Sequence, residues 1–353
     1  MKILFLCFST LVFDVRTPYE KPLGGTESAL CYLSTELAKR GHNVFLMRNS
    51  EIDDTGTVIG GVTHLRISED IASLDPDVVI VASAPMAAPA IKKIVPRAKI
   101  VLWNHMQPDQ PAMATLFQAD FRSAIDKIVY VSESQKKKFT GLSKEIEGDV
   151  ITNAIAPAFE NLFKGPSEIF SAKKCLGAYT STPYRGLSIL ASIQELPIDI
   201  FSSMAVYQGD DSEYEKMYTE LKKKNDCLMF HGSVAQGELA RYLRPAAFLV
   251  YPSIFTECHS IAIIEAMAAG LKVVTTDVAH EQTEFVDSLP SQGATVEEYT
   301  KLLRKNINRF RAYPEEWAEN IWKQVQYINQ NFTWALRAHQ WEAYLKNLIT
   351  IPT

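Results

Sequence analysis

Short apolar runs recur along the first part of the chain. They occupy residues 2–8, 42–47, 77–83, 99–105, 127–133 and 148–155. Runs of this kind are typical of strands that are buried on both faces. The stretch between the first two runs carries Leu30, Leu33 and Leu37 at helical spacing, and Gly41 follows as a stop signal. Strands that alternate with helices predict a parallel sheet covered by helices on its faces.

A second series of apolar runs follows an irregular stretch at residues 156–167, which contains two prolines and a glycine and is predicted to be a linker. The later runs are residues 175–181, 198–203, 227–233, 246–253 and 272–277, again interleaved with helical patterns. A chain of 353 residues also exceeds what one hydrophobic core usually organises. We therefore expect two doubly wound α/β domains facing across a cleft, at residues 1–157 and 158–331. The amphipathic tail, residues 332–353, is expected to pack back on the first domain.

Charge and cysteine content exclude several classes of protein. The net charge of −5 offers no basic surface for nucleic acid. The five cysteines are odd in number and lack a CxxC pair, which argues against a disulfide framework or a zinc site and favours a reducing cytoplasm. The N-terminal apolar run is too short for a signal peptide, and no run reaches the roughly 18 residues of a membrane span. We expect a soluble protein with at most peripheral membrane contact.

Two glutamates flank the start of one predicted helix. Glu257 lies in the loop after the run 246–253, a helix is expected to begin near Ser260, and Glu265 lies inside it, roughly 7 Å along its axis. Amides at a helix N-terminus bind phosphate, so the backbone at Ser260 and Ile261 is a candidate diphosphate site. Carboxylates accept hydrogen bonds from hydroxyl groups. A nucleotide sugar carries hydroxyls on both sides of its diphosphate and matches this arrangement.

The segment "PSIFTECHSIAIIEAMAAGLKVVTTD" resembles the E-x7-E region of family 4 retaining glycosyltransferases, which have the GT-B fold. The resemblance extends over most of the chain. It includes "LGGTESALCYLSTELAKRGHNV", similar to the first glycine loop and helix, and "ITNAIAPAFE", similar to the interdomain crossing. The stretch "YTSTPYRGLSIL" is similar to the phosphate-binding loop of the second domain. The resemblance implies a GT-B fold and a retaining, metal-independent hexosyltransferase.

The resemblance also implies roles for single residues in the second domain. Glu257 would contact the hydroxyls of the donor sugar and Glu265 the ribose. Arg185 stands where the family usually has a lysine and would neutralise the leaving phosphate. Gly186 would permit a close approach of the backbone. Thr180 departs from the family pattern, which often has an arginine at that position.

Three further candidates belong to the first domain. Gly24 and Gly25 would let the backbone approach the diphosphate or the acceptor. His105 corresponds to a family histidine near the transferred sugar, although a histidine that closes a strand is often structural.

The resulting hypothesis is transfer of a sugar from a nucleoside diphosphate sugar to a hydroxyl of a glycan, lipid-linked or small-molecule acceptor. No cofactor and no metal are expected. A sugar-nucleotide epimerase or hydrolase and a non-catalytic sugar-nucleotide-binding subunit are the alternatives. A dinucleotide oxidoreductase is disfavoured because "LGGTES" lacks the G-x-G-x-x-G pattern. The donor base, the sugar, the acceptor and the oligomeric state are not determined by the sequence.

Overall fold

The computed structural model describes residues 1–49, 54–139, 141, 148–278, 284–290 and 293–350. The strands are β1 (Lys2–Cys7), β2 (Asn43–Arg48), β3 (Val58–Ile59), β4 (Val62–Arg66), β5 (Val78–Ala82), β6 (Lys99–Asn104), β7 (Lys127–Tyr130), β8 (Gly148–Val150), β9 (Lys174–Tyr179), β10 (Ile198–Ile200), β11 (Leu228–Phe230), β12 (Ala246–Tyr251), β13 (Lys272–Thr276) and β14 (Val286–Leu289).

Helices follow most of the strands. They are α1 (Thr17–Glu20), α2 (Gly25–Lys39), α3 (Ile71–Leu74), α4 (Ala88–Ile94), α5 (Ala119–Arg122), α6 (Glu133–Lys138), α7 (Pro166–Ala172), α8 (Glu215–Lys224), α9 (Gln236–Leu243), α10 (Ile261–Ala268), α11 (Val296–Ala312), α12 (Pro314–Asn331) and α13 (Trp334–Thr350). Short 3-10 helices cover Pro85–Ala87, Pro111–Phe117, Pro157–Phe159, Pro183–Arg185, Leu187–Ser192, Met204–Tyr207 and Ser212–Tyr214.

The strands form two sheets. The first has the order β3-β4-β2-β1-β5-β6-β7-β8, and the second has the order β11-β10-β9-β12-β13-β14. Every neighbouring pair is parallel except β3 and β4, which are antiparallel. The central strands β5 and β12 are buried at every residue, as expected for parallel strands with helices on both faces. The apolar runs therefore predicted the central strands and the edge strands β8 and β11, whereas β3, β4 and β14 were not predicted.

The chain divides into two compact units. Unit 1 consists of residues 1–18, 24–154 and 334–353, and unit 2 consists of residues 19–23 and 155–333. Within unit 1 the ring of Trp341 lies 5.2 Å from that of Trp103. Arg337, also on α13, donates to the carbonyl of Thr152 at 2.7 Å. Aromatic packing and this charge-assisted hydrogen bond hold α13 on unit 1.

The prediction of a linker at residues 156–167 is wrong. Phe159 is fully buried inside unit 2. Just before the segment, the amide of Ile155 donates to the carbonyl of Phe332 at 3.0 Å. Prolines and a glycine suggested loose chain, but here the prolines begin helical turns, at Pro157 and Pro166. The apolar side chains between them supply the burial that a free linker lacks.

Candidate functional site

Helix α10 lies directly after the loop that carries Glu257. As predicted, its N-cap is Ser260 and its first residue is Ile261. The side chain of Ser260 makes no capping hydrogen bond to the first turn. At the other end, the side-chain amide of Gln324 donates to the carbonyl of Met267 at 3.0 Å, and the buried ammonium of Lys173 donates to that of Ala269. Buried donors therefore hold the C-terminal end of α10, while no side chain of the cap residue covers its N-terminus.

Glu265 is buried in the middle of this helix. Its side chain is 4% exposed, and its Oε1 atom accepts a hydrogen bond from the amide of Ala156 at 3.1 Å. Burial raises the pKa of Glu265 to about 8. A buried carboxylate with one neutral donor is costly to ionise, so Glu265 holds a proton at neutral pH. Further donors, such as the hydroxyls of a bound sugar, would favour its charged form.

Glu257 forms an ion pair with Arg185. Nη1 of Arg185 lies 2.6 Å from Oε1 of Glu257, and the hydroxyl of Tyr251 donates to the same oxygen at 2.7 Å. The side chains of the two charged residues are 20% and 9% exposed, respectively. The structure thus brings together two residues that are far apart in the sequence and adds a tyrosine to them.

Aromatic rings surround the guanidinium of Arg185. Its Cζ atom lies 4.5 Å from the ring centroid of Phe255 and 5.5 Å from that of Tyr184. Burial alone lowers the pKa of Arg185, but the carboxylate of Glu257 and the nearby phenols outweigh burial and raise it. Arg185 is therefore a permanent cation whose direction is fixed by an ion pair and two rings.

Hydrogen bonds within the loop between β12 and α10, and from this loop to residues 276 and 278, fix the loop's backbone. The amide of Glu257 donates to the carbonyl of Val278 at 2.9 Å, and the hydroxyl of Thr276 donates to the carbonyl of Ser253 at 2.5 Å. The amide of Phe255 donates to Oγ of Ser253 at 3.2 Å. These bonds fix the backbone that presents both Glu257 and the start of α10.

Gly186 is required by its surroundings. Its φ is +103°, and a Cβ atom there would lie 2.2 Å from the carbonyl oxygen of Pro252. The close approach expected at Gly186 is therefore to the protein's own backbone, at the start of the loop that carries Glu257. A ligand contact at this glycine stays a prediction.

Polar side chains without protein partners lie near the ends of strands in this unit. Among the described residues, the buried hydroxyls of Thr180, which follows β9, and of Thr275, near the end of β13, have no hydrogen-bond partner. Buried hydroxyls are normally paired, so they are candidate contacts for a polar ligand. Thr180 offers a neutral hydroxyl where the resembling family often has a cation.

The remaining candidates lie in unit 1, whereas Glu257, Glu265, Arg185, Gly186, Ser260 and Ile261 all lie in unit 2. Gly24 is the N-cap of α2 with φ −56°, and Gly25 is its first residue, so neither position needs glycine for a positive φ. His105 follows β6, and its ring is tilted against that of Trp103, with centroids 4.6 Å apart. Burial lowers the pKa of His105 to about 4, so its ring is neutral at pH 7.

The sequence did not single out Tyr251, Tyr184 or Phe255. One signal was available, since Tyr251 ends a strand that is otherwise apolar, and a buried phenol needs a polar partner. That partner is the carboxylate of Glu257. The positions of Tyr184 and Phe255 around Arg185 depend on the folding of two separate loops.

Neither a metal centre nor a membrane span is found in the part of the chain that the structure describes. No group of three or more His, Cys, Asp or Glu side chains is arranged there to hold a metal ion. No helix there is long and apolar enough to cross a bilayer.

Residues 190–309 match the family model of glycosyl transferases group 1, and this range includes Glu257 and Glu265. No curated protein matches the sequence. Sucrose-phosphate synthase from Thermosynechococcus elongatus has a similar structure, with a TM-score of 0.74 and 16% identity over 99% of this chain and 100% of that chain. HepE of Anabaena, solved with UDP-glucose, also has a similar structure, with a TM-score of 0.71 and 16% identity over 98% of this chain and 100% of that chain.

A third similar structure is α,α-trehalose 6-phosphate synthase from Burkholderia multivorans, with a TM-score of 0.70 and 10% identity over 99% of each chain. These likenesses confirm the expected GT-B fold, with two α/β units built on parallel sheets. The family match and the fold together support a glycosyltransferase.

Replacing Gly186 with alanine is expected to destabilise unit 2 because the new methyl group meets the carbonyl oxygen of Pro252. Gly232→Ala is the matched control, since Gly232 also has a positive φ, +71°, but nothing lies within 4 Å of a Cβ atom there. Left-handed backbone costs either variant about 1–2 kcal/mol, and the overlap should add about 1–3 kcal/mol for Gly186→Ala. Urea unfolding measures both. Equal losses would show that the contact with Pro252 is unimportant.

The pH dependence of stability is expected to reveal Glu265. Its pKa is raised from 4.5 to about 8 on folding, so the folded state binds a proton more tightly than the unfolded state. The free energy of unfolding should then fall as the pH rises from about 4.5 to about 8, by at most about 1.4 kcal/mol per pH unit. Glu265→Gln removes this loss, so the variant should gain stability relative to wild type as the pH rises.

Urea unfolding at pH 5, 6.5 and 8 measures the effect, with Glu316→Gln on the exposed face of α12 as the control. The difference between wild type and Glu265→Gln should grow with pH, and the control difference should stay constant. A constant difference for Glu265→Gln would contradict a buried, protonated carboxyl.

Proposed function

We propose that this protein is a retaining glycosyltransferase that moves a sugar from a nucleoside diphosphate sugar to an acceptor hydroxyl. The observation that carries the proposal is the segment around the start of α10, where Glu257 lies in the loop before the N-cap Ser260 and Glu265 lies within the helix. Arg185 adds a fixed positive charge at Glu257. The match of residues 190–309 to group 1 glycosyl transferases supports the proposal independently of this geometry.

In the proposed complex, the amides at Ser260 and Ile261 bind the diphosphate. Glu257 accepts hydrogen bonds from hydroxyls of the transferred sugar, and Glu265 accepts them from the ribose. The similar structure of HepE with UDP-glucose supports a nucleotide sugar as the class of donor. Neutral hydroxyls such as that of Thr180 can bind phosphate oxygens without adding charge.

The proposed reaction breaks the bond between the anomeric carbon and the oxygen of the β-phosphate. The electron pair stays on the phosphate oxygen while positive charge develops on the sugar ring. Arg185 and the helix amides stabilise the departing diphosphate electrostatically, so the proposed step uses no metal. The acceptor oxygen bonds to the anomeric carbon, and its proton passes to an oxygen of the departing diphosphate. Retention follows either from a covalent glycosyl-enzyme or from attack on the face that the diphosphate leaves, and the proposal includes both routes.

For unit 1 we propose contacts to the sugar and the acceptor. A neutral His105 can hydrogen-bond a sugar hydroxyl without attracting the diphosphate, which fits a ring whose pKa lies near 4. Gly24 and Gly25, at the N-terminus of α2, are proposed to approach the diphosphate or the acceptor through their backbone. A hydroxyl of a glycan, lipid-linked or small-molecule acceptor and a cytoplasmic location stay predictions.

Donor binding and turnover test the proposal. Wild type is screened by thermal shift and calorimetry against UDP-, GDP- and ADP-sugars, and the products formed with acceptor extracts are analysed. Glu257→Gln is expected to reduce sugar transfer about 100-fold, because the sugar loses a charged partner at the reacting centre. The affinity for the nucleoside diphosphate should be unchanged, since Arg185 and the helix amides remain. Glu316→Gln, at an exposed glutamate of α12, should behave like wild type.

Each outcome has a distinct meaning. An extended glycan as product supports the transferase. Free or epimerised sugar would point to a hydrolase or epimerase, and saturable donor binding without turnover would point to a binding subunit. Failure of wild type to bind any sugar nucleotide, with Glu257→Gln indistinguishable from it, would contradict the proposal as a whole.

A further inference from the structure

The hydroxyl of Tyr251 and the guanidinium of Arg185 share one oxygen of Glu257. The two donors lie 2.7 Å and 2.6 Å, respectively, from Oε1. Tyr251, Glu257 and Arg185 are called the Tyr–Glu–Arg cluster below. Charge-assisted hydrogen bonds are short and directional, so two of them on one oxygen fix the rotation of the carboxylate.

Tyr251 is the rigid member of the cluster. It is 1% exposed, it ends strand β12, and its ring packs against that of Tyr179 with centroids 5.7 Å apart. Burial and the neighbouring carboxylate of Glu257 raise the pKa of Tyr251, so its phenol keeps its proton and donates. The side chain of Tyr251 has fewer rotatable bonds than that of Arg185, so it holds its position more firmly.

Once a nucleotide sugar is bound, Arg185 has two anionic partners, the carboxylate of Glu257 and the diphosphate. In the proposed function its positive charge serves the diphosphate, yet in the unliganded protein it is paired with Glu257. A hydrogen bond from Arg185 to a phosphate oxygen would weaken the bond that Arg185 makes to the carboxylate of Glu257. Tyr251 is neutral, and its hydroxyl already donates to Glu257, so the phenol does not compete for the phosphate.

We propose that Tyr251 is a positioning residue that aims the carboxylate of Glu257 at the transferred sugar, independently of how the nucleoside diphosphate is bound. The inference rests on the proposed function and adds a residue to it. Loss of the phenol hydroxyl is therefore expected to weaken binding of the transferred sugar and to leave binding of the diphosphate unchanged.

A purely structural role for the hydroxyl of Tyr251 predicts a different effect of its removal on ligand binding. If it only satisfied a buried polar group, its removal would lower stability and weaken all ligands alike. Tyr299 supplies the matched control, because its buried hydroxyl donates to the backbone carbonyl of Val274 at 2.6 Å rather than to the carboxylate of Glu257. Tyr299→Phe removes an equivalent atom outside the cluster.

The experiment measures dissociation constants by calorimetry for UDP-glucose and UDP, and for GDP-mannose and GDP, and uses the pair that wild type binds more tightly. The proteins are wild type, Tyr251→Phe, Glu257→Gln, the double variant of these two substitutions, and Tyr299→Phe. We expect Tyr251→Phe to weaken the sugar nucleotide about tenfold, as for a hydrogen bond to a charged group. Binding of the nucleoside diphosphate should change less than about twofold, well below the contribution of such a bond.

Two further results are expected. Glu257→Gln should show the same selectivity as Tyr251→Phe, and the double variant should be no weaker than Glu257→Gln alone, because the two residues act through one carboxylate. Tyr299→Phe should leave the ratio of the two affinities at its wild-type value.

Three results would overturn the inference. Tyr251→Phe that weakens both ligands equally shows a structural role, and Tyr251→Phe that weakens neither shows that Arg185 alone orients Glu257. In both cases normal donor binding by wild type leaves the proposed function standing. Wild type that binds neither pair overturns the proposed function and this inference with it.

Discussion

The ion pair of Arg185 and Glu257 is the interaction on which the rest of the second unit's site depends. Both side chains are largely removed from water, and a buried pair that loses one member typically costs about 3–5 kcal/mol. The surrounding structure meets this requirement with a phenol, two aromatic rings and a loop whose backbone is hydrogen-bonded in place. The hydrogen-bonded loop thus holds the carboxylate of Glu257 against the guanidinium of Arg185.

Helix α10 carries a second buried carboxyl group, that of Glu265. Its C-terminal carbonyls are covered by Gln324 and by a buried lysine, and Glu265 on its buried face accepts a single amide hydrogen bond. An acid held in this way is protonated when the site is unliganded and gains from any ligand that brings hydroxyl groups. The two glutamates thus differ in charge although they are close in sequence: Glu257 is ion-paired, and Glu265 is neutral near pH 7.

The sequence predicted the features that depend on local pattern. Apolar runs located the central strands, and the start of α10 at Ser260 followed from the change in pattern after β12. Features that depend on distant contacts were missed. The apparent linker at residues 156–167 is buried because it packs within unit 2, and no local signal distinguishes such a segment from loose chain. The partnership of Tyr251 with Glu257 likewise arises only when a strand end and a loop meet.

Two of the edge strands could not be predicted from the sequence either. The strands β3 and β14 are too short to show a periodic pattern of their own, and each pairs with the edge of a neighbouring strand. Gly186 was singled out for a close approach to a ligand, which stays a prediction, and its approach to the carbonyl of Pro252 could not be identified without the fold.

A crystal structure with a bound sugar nucleotide tests the central claim most directly. The expected complex has diphosphate oxygens within hydrogen-bond distance of the amides at Ser260 and Ile261, hydroxyls of the transferred sugar on Glu257, and ribose hydroxyls on Glu265. A complex in which the ligand is bound but both carboxyl groups face protein or solvent instead would contradict it.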